Sequence, residues 1–132
     1  MGTSASNSTS SNNGVSTKYL NDVAKWKSEL HLATEEIDFL ESFLSSDIFE
    51  PSLPNLFEKL QLFLNKLESF RNSKEKLDVA IEELAQFNNK DSISLYRAHH
   101  IKLRKQQRYF VERFSDFKID IYNSTIDLLK KS

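Results

Sequence analysis

The chain has 132 residues, a formal net charge of −1, 28% charged residues and no cysteine. That length suits one domain, and the charge balance gives no whole-molecule pull toward nucleic acid or an anionic membrane. The missing thiols exclude disulfides, thiolate chemistry and cysteine-based zinc sites.

Residues 1–16, MGTSASNSTSSNNGVS, form the first segment. Their only sizeable aliphatic is Val15. Such a stretch cannot bury enough surface to offset its ordering entropy, so a disordered Ser/Asn-rich tail is expected. Met1-Gly2-Thr3-Ser4-Ala5-Ser6 also matches the short M-G-x-x-x-[ST] myristoylation pattern. The tail has no basic start followed by an apolar run, so no secretory signal is read here and the cytoplasm is the expected compartment. Beyond Gly14 there is no glycine. A phosphate-cradling loop, a dinucleotide fingerprint and a nucleophile elbow all need glycine, and none is present.

From residue 17 the pattern is helical. Helix 1 is expected over about 17–49, capped by Ser16 or Thr17. Its stripe is Trp26, Leu30, Ala33, Ile37, Leu40 and Leu44, in the alternating four-three steps of a coiled-coil-like seam. Phe39 and Phe43 widen that face. Pro51 stops the helix and Pro54 is expected in the first turn of the next. Helix 2, about 53–87, carries Leu56, Leu60, Phe63, Leu67, Phe70, Lys74, Leu77, Ile81 and Leu84. Asn88 to Asp91 read as a turn, with Asp91 or Ser92 as the cap. Helix 3, about 91–130, carries Tyr96, His100, Leu103, Gln107, Phe110, Phe114, Phe117, Ile121, Ser124 and Leu128. Short connections make neighbours antiparallel, so residues 17–132 are expected to form an all-α, up-down-up bundle of three long helices. The aromatic residues as a group belong to its core, with Phe49, Phe57 and Phe87 near helix ends as plugs or a contact patch.

Charge is laid out unevenly. Residues 28–58 hold eight acids and no Lys or Arg, while residues 97–108 hold five basic residues and no acid. The five are Arg97, Lys102, Arg104, Lys105 and Arg108. Folding at the two turns sets this run beside Arg71, Lys74 and Lys76, and beside Lys18, Lys25 and Lys27. The acidic run falls toward the other end with Asp116, Asp120 and Asp127. The five basic residues are the candidate interaction patch, for an acidic partner, a phosphate or a membrane surface. Nucleic acid is not the expected partner, because the aromatics lie on the core stripe.

Lys74, His100 and Gln107 are polar residues on core stripes and form the candidate buried polar layer, with Glu29 beside Lys74 and Gln107. A polar residue at a seam position fixes register at some cost in stability. Catalytic chemistry lacks a motif. His31 and Glu35 share a face, His99 and His100 diverge, and no Glu stands three residues before a histidine as in di-iron bundles. Glu35-Glu36 and Glu82-Glu83 diverge on a helix and make no acid–base pair. No catalytic residue, metal ligand or cofactor is assigned.

The run His99-His100-Ile101-Lys102-Leu103-Arg104, the spaced Phe110, Phe114, Phe117 and Ile121-Tyr122, and the Trp26-x-x-Glu29-Leu30 and Glu36-x-x-Phe39-Leu40 steps resemble small helical proteins of flavobacteria and related Bacteroidetes. The likeness spans most of residues 20–125 and excludes the Ser/Asn tail. It implies a bacterial cytosolic bundle with no established activity. The expected function is a non-enzymatic interaction or structural module with a protein partner, itself included as a homodimer. The alternative is a peripheral binder of an anionic partner or membrane surface through the basic end.

Overall fold

The computed structural model describes residues 17–86 and 93–131. The expected tail, its lipidation pattern, Phe87 and the Asn88–Asp91 turn lie outside the described residues.

Three long helices pack as a bundle: α1 Thr17–Leu44, α2 Leu56–Ala85 and α3 Ile93–Thr125, followed by a 3₁₀ turn at Ile126–Leu128. The four-three spacing is the cause. It puts Val23, Trp26, Leu30, Ala33, Ile37, Leu40 and Leu44 of α1 on one inward face, where all are buried. In α2 the buried set is Leu56, Leu60, Leu67, Leu77, Ile81 and Leu84. Phe63 and Phe70 are half-buried against the same core. Phe70 stacks on Phe117 at 4.9 Å between centroids and tilts onto Phe114 at 5.4 Å, joining α2 to α3. Among the described residues no helix is long and apolar enough to cross a membrane.

The helices end sooner than periodicity predicts. α1 stops at Leu44 rather than near Phe49, within the polar run Ser45-Ser46-Asp47, where the Ser46 hydroxyl donates to Phe43 O at 2.7 Å. Such local bonds compete with the helical ladder. Pro54 precedes α2 instead of sitting in its first turn. The N-cap is Asn55, at a left-handed φ of 60° that asparagine tolerates. Glu50 accepts from the Ser52 backbone N–H at 3.1 Å and its hydroxyl at 2.9 Å. Those two donors, the backbone one foremost, hold the Glu50 carboxyl below its usual range.

α3 ends at Thr125, not near residue 130. The Thr125 hydroxyl donates to Ile121 O at 2.7 Å. Thr125 takes the buried position that spacing assigns to Ser124, which is exposed. The chain then runs extended alongside the α1–α2 connection. Phe49 and Leu129 form an antiparallel bridge, with Glu50 N–H donating to Leu128 O and Lys130 N–H to Ile48 O, both at 2.8 Å. Phe49 and Leu128 are buried there. Of the residues expected at helix ends, Phe49 is thus a plug against Phe43, at 5.4 Å. Phe57 is 73% exposed and Phe39, expected to widen the α1 core face, is 60% exposed.

Candidate functional site

The polar residues of the core stripes come first, because burial makes each one costly unless partnered. Gln107 is buried and donates through Nε2 to Glu29 Oε1 at 3.0 Å and to Trp26 O at 3.4 Å. Its Oε1 has no partner among the described residues. His100 is fully buried. The rings of Tyr19 and Trp26 lie 4.4 and 4.9 Å from its own, and Tyr96 lies one turn away at 6.4 Å. Its Nε2 lies 3.3 Å from Asp22 Oδ2, a contact too poorly aligned to count as a full hydrogen bond. Burial lowers the His100 pKa, Asp22 opposes that, and the nearby cations Arg104 and Lys18 add to the lowering.

These residues do not form one layer with Lys74. Seven residues separate His100 from Gln107, about 10.5 Å along the axis. The Lys74 side chain is mostly covered, at 11% exposure, and its ammonium pairs with Asp78 at 2.9 Å, one turn along its own helix. Its flexible stem lets the ammonium reach the surface. What the structure assembles instead is a ladder between α1 and α3: Asp22 with His100, Glu29 with Gln107, and Glu36 with Lys118 at 2.8 Å. The α1 members recur every seven residues beside the core stripe. That repeat is visible in the sequence as acids at heptad spacing flanking an apolar seam. Spacing alone cannot say which helix they face.

The candidate basic patch divides. Arg97, Lys102, Arg104, Lys105 and Arg108 are all exposed. At 100° per residue they fan over more than a third of the α3 surface. Arg104 lies on the His100 side, near enough to act on that imidazole. Lys102 lies on the opposite side, in the groove between α2 and α3.

That groove is concave along its length. A recess of about 520 Å³ includes Lys76, Glu83, Leu84, His99, Lys102 and Leu103 in its lining. A second, of about 240 Å³, shares Lys76, Ala80 and Gln106 with the first and adds Phe70, Tyr109 and Phe110. A third, of about 500 Å³, shares Phe70, Ser73 and Arg113 with the second and adds Lys66, Asp116 and Asp120. The three form one channel along α2 and α3, from His99 to Asp120, about 31 Å long. Its floor is apolar. Midway, the Arg113 guanidinium lies over the Tyr109 ring at 5.3 Å and the Phe70 ring at 5.9 Å, and donates to the Tyr109 hydroxyl at 3.0 Å.

Some charges elsewhere pair within the chain. Arg71 reaches Asp38 at 3.0 Å and Glu41 at 3.6 Å, and Lys27 reaches Glu82 at 3.5 Å. In the α2–α3 groove, Lys66, Lys76, Glu83, Lys102 and Asp116 make no ion pair among the described residues. His31 meets Glu35 at 3.8 Å on an exposed face. No group of three or more His, Asp or Glu among the described residues is placed to hold a metal ion.

No family model, curated protein or solved structure matches this chain.

Proposed function

We propose that this chain is a non-enzymatic interaction module of the cytoplasm that works through the groove between α2 and α3. The supporting observation is that channel itself: an apolar floor about 31 Å long, whose lining includes Lys66, Lys76, Glu83, Lys102 and Asp116, which make no ion pair among the described residues. A helix of about 20 residues has that length, and an apolar groove with charged lips suits helix-in-groove recognition.

The test is affinity capture in the native host with wild type and two variants. Tyr109→Asp charges the middle of the groove, while Leu32→Asp charges an exposed apolar position on α1. Loss of captured partners with Tyr109→Asp alone supports the reading. Equal capture by all three proteins overturns it.

A second reading has its own observation. Lys76 and Lys102 line a single recess with Glu83 as its one acid, so an anionic partner or membrane surface has a net-positive place to sit. Flotation with vesicles containing anionic lipid, against neutral vesicles, decides it. Co-flotation only with anionic lipid, lost in Lys102→Glu, favours this reading over the first.

A further inference from the structure

We propose that the groove's occupant is a second copy of this chain, packed antiparallel so that α2 lies on α2 and α3 on α3 in a two-fold, four-helix interface. The inference rests on the interaction reading and names its partner.

The argument is one of symmetry. A two-fold axis across the helices, through the central recess at Tyr109, reverses the groove end for end. On α3 it sets Lys102 opposite Asp116 of the second copy, and His99 opposite its Asp120. On α2 it sets Glu83 opposite Lys66 of the second copy. Ser69 then faces Ala80, Lys76 faces Ser73, and Gln106 faces Arg113. All these residues line the three recesses. Among the residues lining the recesses no like-charged pair is set opposite, although the exposed Lys105, outside the lining, stands four residues before Tyr109 as Arg113 stands four after it and so falls near Arg113 of the second copy. Four groove charges that make no ion pair among the described residues, Lys66, Glu83, Lys102 and Asp116, meet an opposite charge between copies, while Lys76 meets the Ser73 hydroxyl.

The central recess holds Tyr109, 61% exposed, where the axis brings it against its own symmetry mate. A face about 31 Å long and two helices wide covers on the order of 600 Å² per copy. That total of roughly 1,200 Å² is at the lower end of specific interfaces, so the dimer should dissociate on dilution. The opposite side of the bundle also exposes Leu32, Phe39, Ile119 and Tyr122, but nothing there specifies what covers them.

The experiment is sedimentation velocity over a concentration series. Wild type is expected to shift from monomer to dimer. Lys102→Asp and Asp116→Lys each place like charges opposite one another twice per dimer, and each should weaken association by roughly tenfold or more. The double variant Lys102→Asp/Asp116→Lys restores opposite charges and should recover the dimer. A monomeric wild type across the series, or a double variant as weak as either single, overturns the proposal. Both side chains are exposed, and circular dichroism checks that the variants fold. The chain has no cysteine, so an introduced one is unique. Tyr109→Cys should cross-link the full chain into a covalent dimer on oxidation, and Phe39→Cys should not. The reverse pattern also overturns the antiparallel α2–α3 dimer. A monomeric chain whose captured partners still vanish with Tyr109→Asp would leave the interaction reading standing and remove only self-association.

Discussion

The side-chain amide of Gln107 in α3 donates to the Glu29 carboxylate of α1 at 3.0 Å across the bundle. The amide orientation follows from chemistry, since both neighbours, Glu29 Oε1 and Trp26 O, are acceptors. This bond ties a fully covered position to a half-exposed carboxylate, which sets the axial register of α1 against α3.

The Gln107→Leu variant should be as stable as wild type or more so, by up to about 1 kcal/mol. It removes a buried acceptor that has no partner among the described residues, and Glu29 can return to water. Gln107→Ala leaves a void and should cost about 2 kcal/mol. Thermal unfolding of the two variants checks this. A leucine variant less stable than the alanine one would show that the hydrogen bond outweighs packing.

The buried imidazole of His100 should make stability pH-dependent. Its pKa in the folded chain is lowered from 6.5, chiefly by burial. Its surroundings are Tyr19, Asp22 and Trp26 of α1, and Tyr96 of α3, with Lys18 and Arg104 acting at longer range. The unfolded chain therefore takes up a proton near pH 6.5 that the folded chain refuses. The neutral imidazole's contribution is complete above that pH. It is lost as pH falls from about 6.5 toward the lower folded value, by at most about 1.4 kcal/mol per pH unit. His100→Phe should flatten the slope of melting temperature between about pH 7.5 and 5.5 relative to wild type. An unchanged slope would mean that Asp22 holds the imidazole as readily charged as it is in water.

The clasp between residues 48–50 and 128–130 should contribute measurably. Leu128→Ala removes a buried side chain at the bundle end and should cost about 2 kcal/mol. It should also raise amide exchange at Glu50 and Lys130, the two donors of the bridge. Exchange at those amides that stays slow while stability drops would separate the bridge from the packing beneath it.

Arg71 lies among Asp38, Glu41 and Glu68, within 3.7 Å of all three. The acids are more than half exposed, so Arg71→Ala should cost less than about 1 kcal/mol, and less again at high salt. Arg71→Lys should lose part of the same amount, since an ammonium lacks the planar fork that holds several carboxylates at once. Denaturant unfolding at low and high ionic strength measures both.

The chain's own pattern determined the three helices, their up-down-up order and nearly all of the core. Trp26, Leu30, Ala33, Ile37, Leu40 and Leu44 are buried because four-three spacing closes on one helix face, a purely local rule. The same rule located His100 and Gln107 on the core face. It failed where side chains compete with backbone ladders, at Ser45–Asp47 and Thr125, and so misplaced two helix ends. Only the tertiary structure decided partners. Lys74 turns to Asp78 rather than Gln107, and Asp22, Glu29 and Glu36 face α3 rather than water. Arg97, Arg104 and Arg108 share one side of α3 while Lys102 turns into the α2–α3 groove, and residues 128–130 clasp the α1–α2 connection. Helical periodicity fixes which residues share a face. Which face meets which neighbour depends on rotation and register between helices, and those are set by packing across the whole bundle.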